Sequence, residues 1–117
     1  PGLSVSYGRT WICEEETDIA VLPVGYADGL LRRYSPGLKV AINGKEYPVV
    51  GRICMDQCMV NIGKDNKNIK RWDKAVIFGP VLQDGALQDA DAIAKLGNTI
   101  PYEVMTCISK RVPRFVL

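Results

Sequence analysis

Three tyrosines stand where a side chain can reach chemistry. Tyr7 lies in Val5-Ser6-Tyr7-Gly8, Tyr26 in Pro23-Val24-Gly25-Tyr26-Ala27-Asp28-Gly29, and Tyr102 in Asn98-Thr99-Ile100-Pro101-Tyr102-Glu103. Each sits beside a Gly or Pro at the end of a strand-like run, where a rigid scaffold can aim a ring into a cleft. A phenol titrates near ~10 and acts as a base near neutrality only with a cation or an aligned acceptor beside it. The sequence supplies no such group at a fixed geometry. The residues alone therefore leave two readings open: a base or donor in a cleft, or a ring that caps the core and gives its hydroxyl one partner. A further run, Gly51-Arg52-Ile53-Cys54-Met55-Asp56-Gln57, sets Arg, Asp and Gln around a short apolar stretch beside a glycine. Such a break either offers backbone N–H groups to an anion or is an ordinary bulge with its charges in solvent.

Composition narrows the chemistry. The chain has no histidine, which removes the usual general base, the commonest metal ligand and the Ser/His and Cys/His nucleophile pairs. Cys13, Cys54, Cys58 and Cys107 form no C-x-x-C, so no metal site is expected. Three of the four lie in apolar, strand-like runs and read as buried free thiols in a reducing compartment. Fifteen Lys plus Arg against 13 Asp plus Glu give a net charge of +2. That is too weak and too mixed for a nucleic-acid or anionic-membrane partner. No apolar run approaches the ~20 residues of a membrane helix. At 117 residues, 47% hydrophobic and 24% charged, residues 1–117 form one folded domain. Pro1-Gly2-Leu3 has neither an initiator Met nor a signal pattern and reads as the middle of something longer.

The elements that must position these residues are mostly short strands. Ile19-Ala20-Val21-Leu22, within Thr17 to Gly25, is long enough for a buried strand, and Ala27-Asp28-Gly29 ends it with a turn. Leu38 to Ile42 and Lys45 to Val50 flank Asn43-Gly44, the strongest short-range hairpin signal, with Pro48 expected on an edge or at a bulge. Arg52 to Gln57 and Cys58 to Ile62 read as two strand pieces around a polar break. Lys64 to Lys70 is a solvated loop, and Lys74 to Gly79 a strand stopped by Gly79-Pro80. Asp89 to Leu96 is the one clear helix, with acids in its first turn, Lys95 in its last and Gly97 as its stop. Glu103 to Ser109 and Arg114 to Leu117 read as final strands. Many short strands and one short helix predict a mainly β fold, a small closed or nearly closed antiparallel barrel.

Taken in series, Val5-Ser6-Tyr7-Gly8, Val24 to Gly29, Val50 to Gln57, Thr99-Ile100-Pro101-Tyr102-Glu103 and Arg111-Val112-Pro113-Arg114 resemble the C-terminal domain of bacterial alanine racemases over nearly the whole chain. The resemblance implies a small β-barrel domain of a larger subunit. An N-terminal α/β barrel, absent from this chain, would hold pyridoxal phosphate on a lysine. Two subunits would pair head to tail as a homodimer, each β domain completing its partner's active site. It implies that Tyr7 is the second catalytic base, working on the face of alanine opposite that lysine. The Met55 backbone N–H would bind the substrate carboxylate. Tyr26 and Tyr102 would narrow the way in, Tyr102 near the cofactor phosphate, and Arg52, Asp56 and Ile100 would line or support the access corridor. The family tunes its tyrosine through groups on the barrel domain, and the cofactor supplies the electron sink. The implied setting is a bacterial cytoplasmic enzyme making D-alanine for peptidoglycan precursors. The fragment alone is expected to be inactive and to bare apolar surface where the barrel and second subunit would dock.

Pro101 departs from the family, many of whose members carry Asn there. Serine racemases of the glycopeptide-resistance type also resemble this domain, but they tend to carry a smaller polar residue where Tyr102 stands. A bulky phenol favours a methyl group over a hydroxymethyl. A β-barrel binding module without catalysis is the alternative from a different class.

Overall fold

The computed structural model describes residues 1–79 and 88–116. Strands β1 (Ser4–Val5) and β2 (Trp11–Ile12) pair as a small antiparallel unit. Strands β3 (Asp18–Leu22), β4 (Lys39–Ile42), β5 (Lys45–Val50), β6 (Cys58–Gly63) and β7 (Ala75–Val76) build a second antiparallel sheet, in the order β3-β6-β5-β4-β7. This sheet is curled into half a barrel, so the mainly β expectation holds. Two helices, α1 (Ala90–Leu96) and α2 (Pro101–Thr106), pack against each other.

Local chemistry explains the central hairpin. Asn43 and Gly44 take φ of 50° and 78°, the paired left-handed conformation of a two-residue turn whose twist matches the strands it joins. Ile42 then faces Lys45, and Lys39 faces Pro48. Pairing of β5 with β6 begins only at Val49. Pro48 thus occupies the end of the strand where no ladder donor is required of it.

The sheet's alternation sorts the core. Val49, Cys58 and Val60 join Leu38, Val40, Ile42 and Ile53 on one side, closed over by Leu30, Tyr34, Ile93 and Val104. Val50, Cys54 and Met59 form a smaller cluster with Val5, Trp11 and Ile19 on the other. Cys54 and Cys58 belong to different clusters. All four cysteines are free thiols.

Four local expectations need correction. Residues 52–57 are not a strand; they bend away between β5 and β6. Residues 74–79 contribute only the two residues of β7, and Pro80 lies outside the described residues. The run from Glu103 is helical, not extended: α2 makes a second helix. Pro101 stands at its first position, where a missing N–H costs nothing, and Glu103 sits in its first turn. The β-branched Val104 and Thr106 are overridden by packing on α1, with Val104 buried. Residues 114–116 form no strand: Phe115 and Val116 are exposed, and Leu117 lies outside the described residues. Asp89, by contrast, caps α1 as its type predicts, accepting from Ala92 N–H at 2.8 Å.

Burial pushes the Cys58 thiol up to about 12, and the neighbouring Cys54 adds to the rise. The unfolded chain releases this proton near pH ~8.5 while the folded chain keeps it. The stability conferred by the buried thiol is therefore complete below that pH and is lost progressively as pH rises toward the folded value. Urea unfolding from about pH 8 to about pH 10 should show a steeper loss of stability in the wild-type chain than in Cys58→Ala. Equal slopes in the two proteins would argue against a protonated, buried Cys58.

Candidate functional site

The bend at Gly51 to Gln57 is the seat of the site. Cys54 N–H donates to the Gln57 carbonyl at 2.9 Å and closes it as a tight turn. Cys54 is buried beneath, whereas Met55 is 52% exposed above.

Residues Ser6 to Gly8 rest on one end of this bend. The Ser6 hydroxyl donates to the Arg52 carbonyl and lies 3.5 Å from Cys54 Sγ. Gly51, at φ 71°, permits that contact, since a Cβ there would fall 2.8 Å from Ser6 Cβ and 2.9 Å from the Val5 carbonyl oxygen. Gly8 lies against the Arg52 guanidinium in the same way, 2.9 Å from Nη1 to where its Cβ would be. Ser6 itself has φ 66° and ψ 178°, a region nearly reserved for glycine that costs on the order of 1–3 kcal/mol. Gly8 and Arg9 also have positive φ. A backbone this contorted persists only when its surroundings hold it. Here they hold it so that Tyr7 projects outward, 68% exposed.

The short 3-10 turn Tyr26–Asp28 rests on the other end. Tyr26 N–H donates to the Cys54 carbonyl and Ala27 N–H to the Met55 carbonyl, both at 3.0 Å. The Asp28 carboxylate reaches back to accept from Gly25 N–H at 2.9 Å. A Cβ on Gly25 would lie 2.1 Å from the Cys54 carbonyl oxygen and 2.5 Å from the Met55 carbonyl carbon. The Met55 carbonyl is thus occupied, while Met55 N–H has no acceptor among the described residues. Arg111 adds a third segment, with Nη2 2.6 Å from an Asp56 oxygen and Nε 3.4 Å from an Asp28 oxygen. The hydrogen bond to Asp56, then the charge of Asp28, raises the guanidinium above its ordinary value.

Tyr7, Arg52, Met55, Asp56 and Tyr26 are therefore brought onto one bend. Ile100 and Tyr102 are not. They begin α2, exposed to 58% and 79%, and among the described residues no hydrogen bond or ion pair ties either side chain to residues 51–57. Glu103 of α2 pairs instead with Arg33. Ser6, Gly25 and Asp28 were not singled out as individual site residues by type alone. One signal was present: Asp28 stands three residues after Gly25, the spacing of a side chain that caps a turn's own start. Among the described residues no group of three His, Cys, Asp or Glu could hold a metal ion, and no helix is long and apolar enough to cross a membrane.

The curled β domain presents Tyr7, Tyr26 and an open Met55 backbone donor along one bend. Residues 1–116 match the family described as alanine racemase, C-terminal domain, and the chain belongs to that family. An alanine racemase of Treponema denticola is 51% identical over 115 residues, covering 97% of this chain and 30% of the relative. An alanine racemase of Clostridium difficile 630 in complex with cycloserine is 46% identical with a TM-score of 0.84, over 96% of this chain and 28% of that one. An alanine racemase of Bartonella henselae with covalently bound pyridoxal phosphate is 32% identical with a TM-score of 0.86, over 97% of this chain and 30% of that one. The chain thus spans less than a third of the proteins it matches.

The close approach at Gly25 makes a sharp prediction. Gly25→Ala drives a methyl group into the backbone of Cys54 and Met55, which cannot rotate away. It should cost at least about 2 kcal/mol in denaturant unfolding. A loss under about 0.5 kcal/mol would show that the two segments are not held in this contact.

Proposed function

We propose that this chain is the β domain of a pyridoxal-phosphate-dependent alanine racemase, and that Tyr7 is the base serving one face of the substrate. The observation that carries the reading is the pairing on one bend of an exposed Tyr7, on a contorted and firmly held backbone, with a Met55 N–H that has no acceptor among the described residues. Racemisation needs a proton removed from one face of Cα and returned to the other. It also needs the carboxylate fixed so that both faces are presented correctly.

The residues fit the edge of a cofactor site. Tyr7, Tyr26, Tyr102 and Met55 are all exposed, as groups meant to face a ligand carried by another body would be. Pyridoxal phosphate, when bound, supplies the electron sink that makes the α-proton removable. This chain's part is narrower. Tyr7 as the phenolate takes the α-proton from L-alanine, and as the phenol returns one to the same face. The Met55 N–H binds the carboxylate. Tyr26 and Tyr102 narrow the approach, Tyr102 toward the cofactor phosphate, while Arg52, Asp56 and Ile100 line the corridor. The lysine for the other face belongs to an α/β barrel domain, and a head-to-tail homodimer brings that barrel and this β domain together. The product, D-alanine, is made in the cytoplasm for peptidoglycan precursors.

Proton exchange separates the two faces. In the complete, cofactor-loaded protein, Tyr7→Phe should slow Cα deuterium uptake by L-alanine in heavy water by about 100-fold to 10,000-fold. Uptake by D-alanine, served by the lysine, should persist. Wild-type uptake by L-alanine in the variant would remove Tyr7 from its role. Substrate choice is tested at Tyr102: replacing it with Ala opens space for a hydroxymethyl, and the alanine-to-serine ratio of kcat/KM should fall about 10-fold or more. A wild-type preference for serine would point to a serine racemase.

A further inference from the structure

The closing motif Arg111-Val112-Pro113-Arg114 has a structural job that the tyrosines depend on. The Arg114 guanidinium donates to the carbonyls of Ile108, Ser109 and Val112 at 2.9, 3.1 and 3.0 Å, folding the segment after α2 into a fixed knot. Ser109 N–H donates to the Asp28 carbonyl at 3.0 Å, and the Ser109 hydroxyl accepts from Arg111 N–H at 3.2 Å. The knot is thereby pinned beside the Tyr26 turn. From it Arg111 reaches two carboxylates at once. Asp56 follows Met55 directly in the chain. Asp28 ends the Tyr26 turn, and its second oxygen holds Gly25 N–H.

We infer that Arg111 is a positioning residue for substrate: its guanidinium locks Asp56 to Asp28, and so fixes the direction of the Met55 N–H relative to Tyr26. The inference rests on the proposed reading of Met55 as the carboxylate's donor. Arg111 acts here through geometry more than through strength. Exposed ion pairs contribute little to stability, and the Arg111 side chain is 52% exposed. A planar fork holding two carboxylates nevertheless restricts both. The peptide between Met55 and the preceding Cys54 is held through its carbonyl by Tyr26 N–H. On the far side of Met55, its carbonyl accepts from Ala27 N–H, and Arg111 braces the same two segments by tying the Asp56 side chain to Asp28. With the segments braced, the N–H points one way. Without Arg111, the two backbone hydrogen bonds alone hold the bend to the Tyr26 turn, and the direction of the donor is set less tightly.

The test uses the complete, cofactor-loaded protein. Wild type, Arg111→Met, Asp56→Asn and the double variant are compared for alanine racemisation and for competition by propionate, a carboxylate without an amino group. Each single substitution should raise KM for alanine and the inhibition constant of propionate together, by about 10-fold. In Arg111→Met the effect on kcat should stay within about 3-fold, because the base and the cofactor are untouched. The double variant should be no worse than either single one, since both remove the same link. Independent, multiplying effects would overturn the inference, as would unchanged KM and propionate inhibition in Arg111→Met. A merely structural role would lower the melting temperature and the active fraction, and so kcat, with KM unmoved; that result also overturns it. Failure of the wild-type protein to racemise alanine would sink the proposed function itself, and is distinguished from these outcomes by the wild-type control.

Discussion

Everything at the site hangs on two backbones passing too close for a side chain. Gly25 lies so near the Cys54–Met55 peptide that a single methyl group would overlap it. Only at that separation can Tyr26 and Ala27 both donate to successive carbonyls of the bend. These two hydrogen bonds consume the carbonyls of Cys54 and Met55, leaving the Met55 N–H as the free group. The contact thus decides which face of a peptide is spent internally and which is offered outward. The same principle recurs at Gly51 and Gly8, where missing side chains let Ser6 and its neighbours lie on Arg52. Gly25 and Gly51, far apart in sequence, let two segments rest on one bend, and each does so by what it lacks.

Backbone strain and side-chain exposure belong together here. Ser6 sits in a conformation that few non-glycine residues adopt, and its hydroxyl bond to Arg52 helps hold it there. An exposed tyrosine on a relaxed loop would sample many directions. Fixing its backbone from below leaves the ring two torsions to settle, so less freedom is lost when a substrate arrives. The cost of holding Ser6 is met by burial of Cys54, Met59 and Val50 underneath, which is why the small second cluster exists on that side of the sheet.

The sequence was legible where a local rule governs and opaque where tertiary contact does. Asn43-Gly44 announced its hairpin because two consecutive left-handed residues have few other uses. Asp89 announced the start of α1 for an equally local reason. Residues 103–106 misled because the β-branched Val104 and Thr106 favour strands by type, and the packing of α2 on α1 reverses that. Tyr7, Tyr26 and the Gly51 to Gln57 run were visible as oddly placed polar groups beside glycine. Their convergence was not, because the contacts joining Ser6 to Arg52 and Tyr26 to Cys54 span dozens of residues and no periodicity encodes them. The family resemblance linked those runs. The structure supplies the physical reason they travel together for all but Tyr102 and Ile100, whose side chains form no hydrogen bond or ion pair with the bend among the described residues.

Under the proposed function, a chain without histidine takes part in proton transfer through a phenol. A phenol's readiness to give up or take a proton depends on desolvation and on charge beside it. Tyr7 is two-thirds exposed, so whatever surface is laid against it governs both. Under the proposed function, the domain contributes direction, in the form of a held backbone and an aimed donor. The surface that faces it contributes the electrostatics. The division makes physical sense for a site at a subunit boundary. A rigid wall can be folded and locked before assembly, whereas a tuned proton affinity is useful only after water has been excluded.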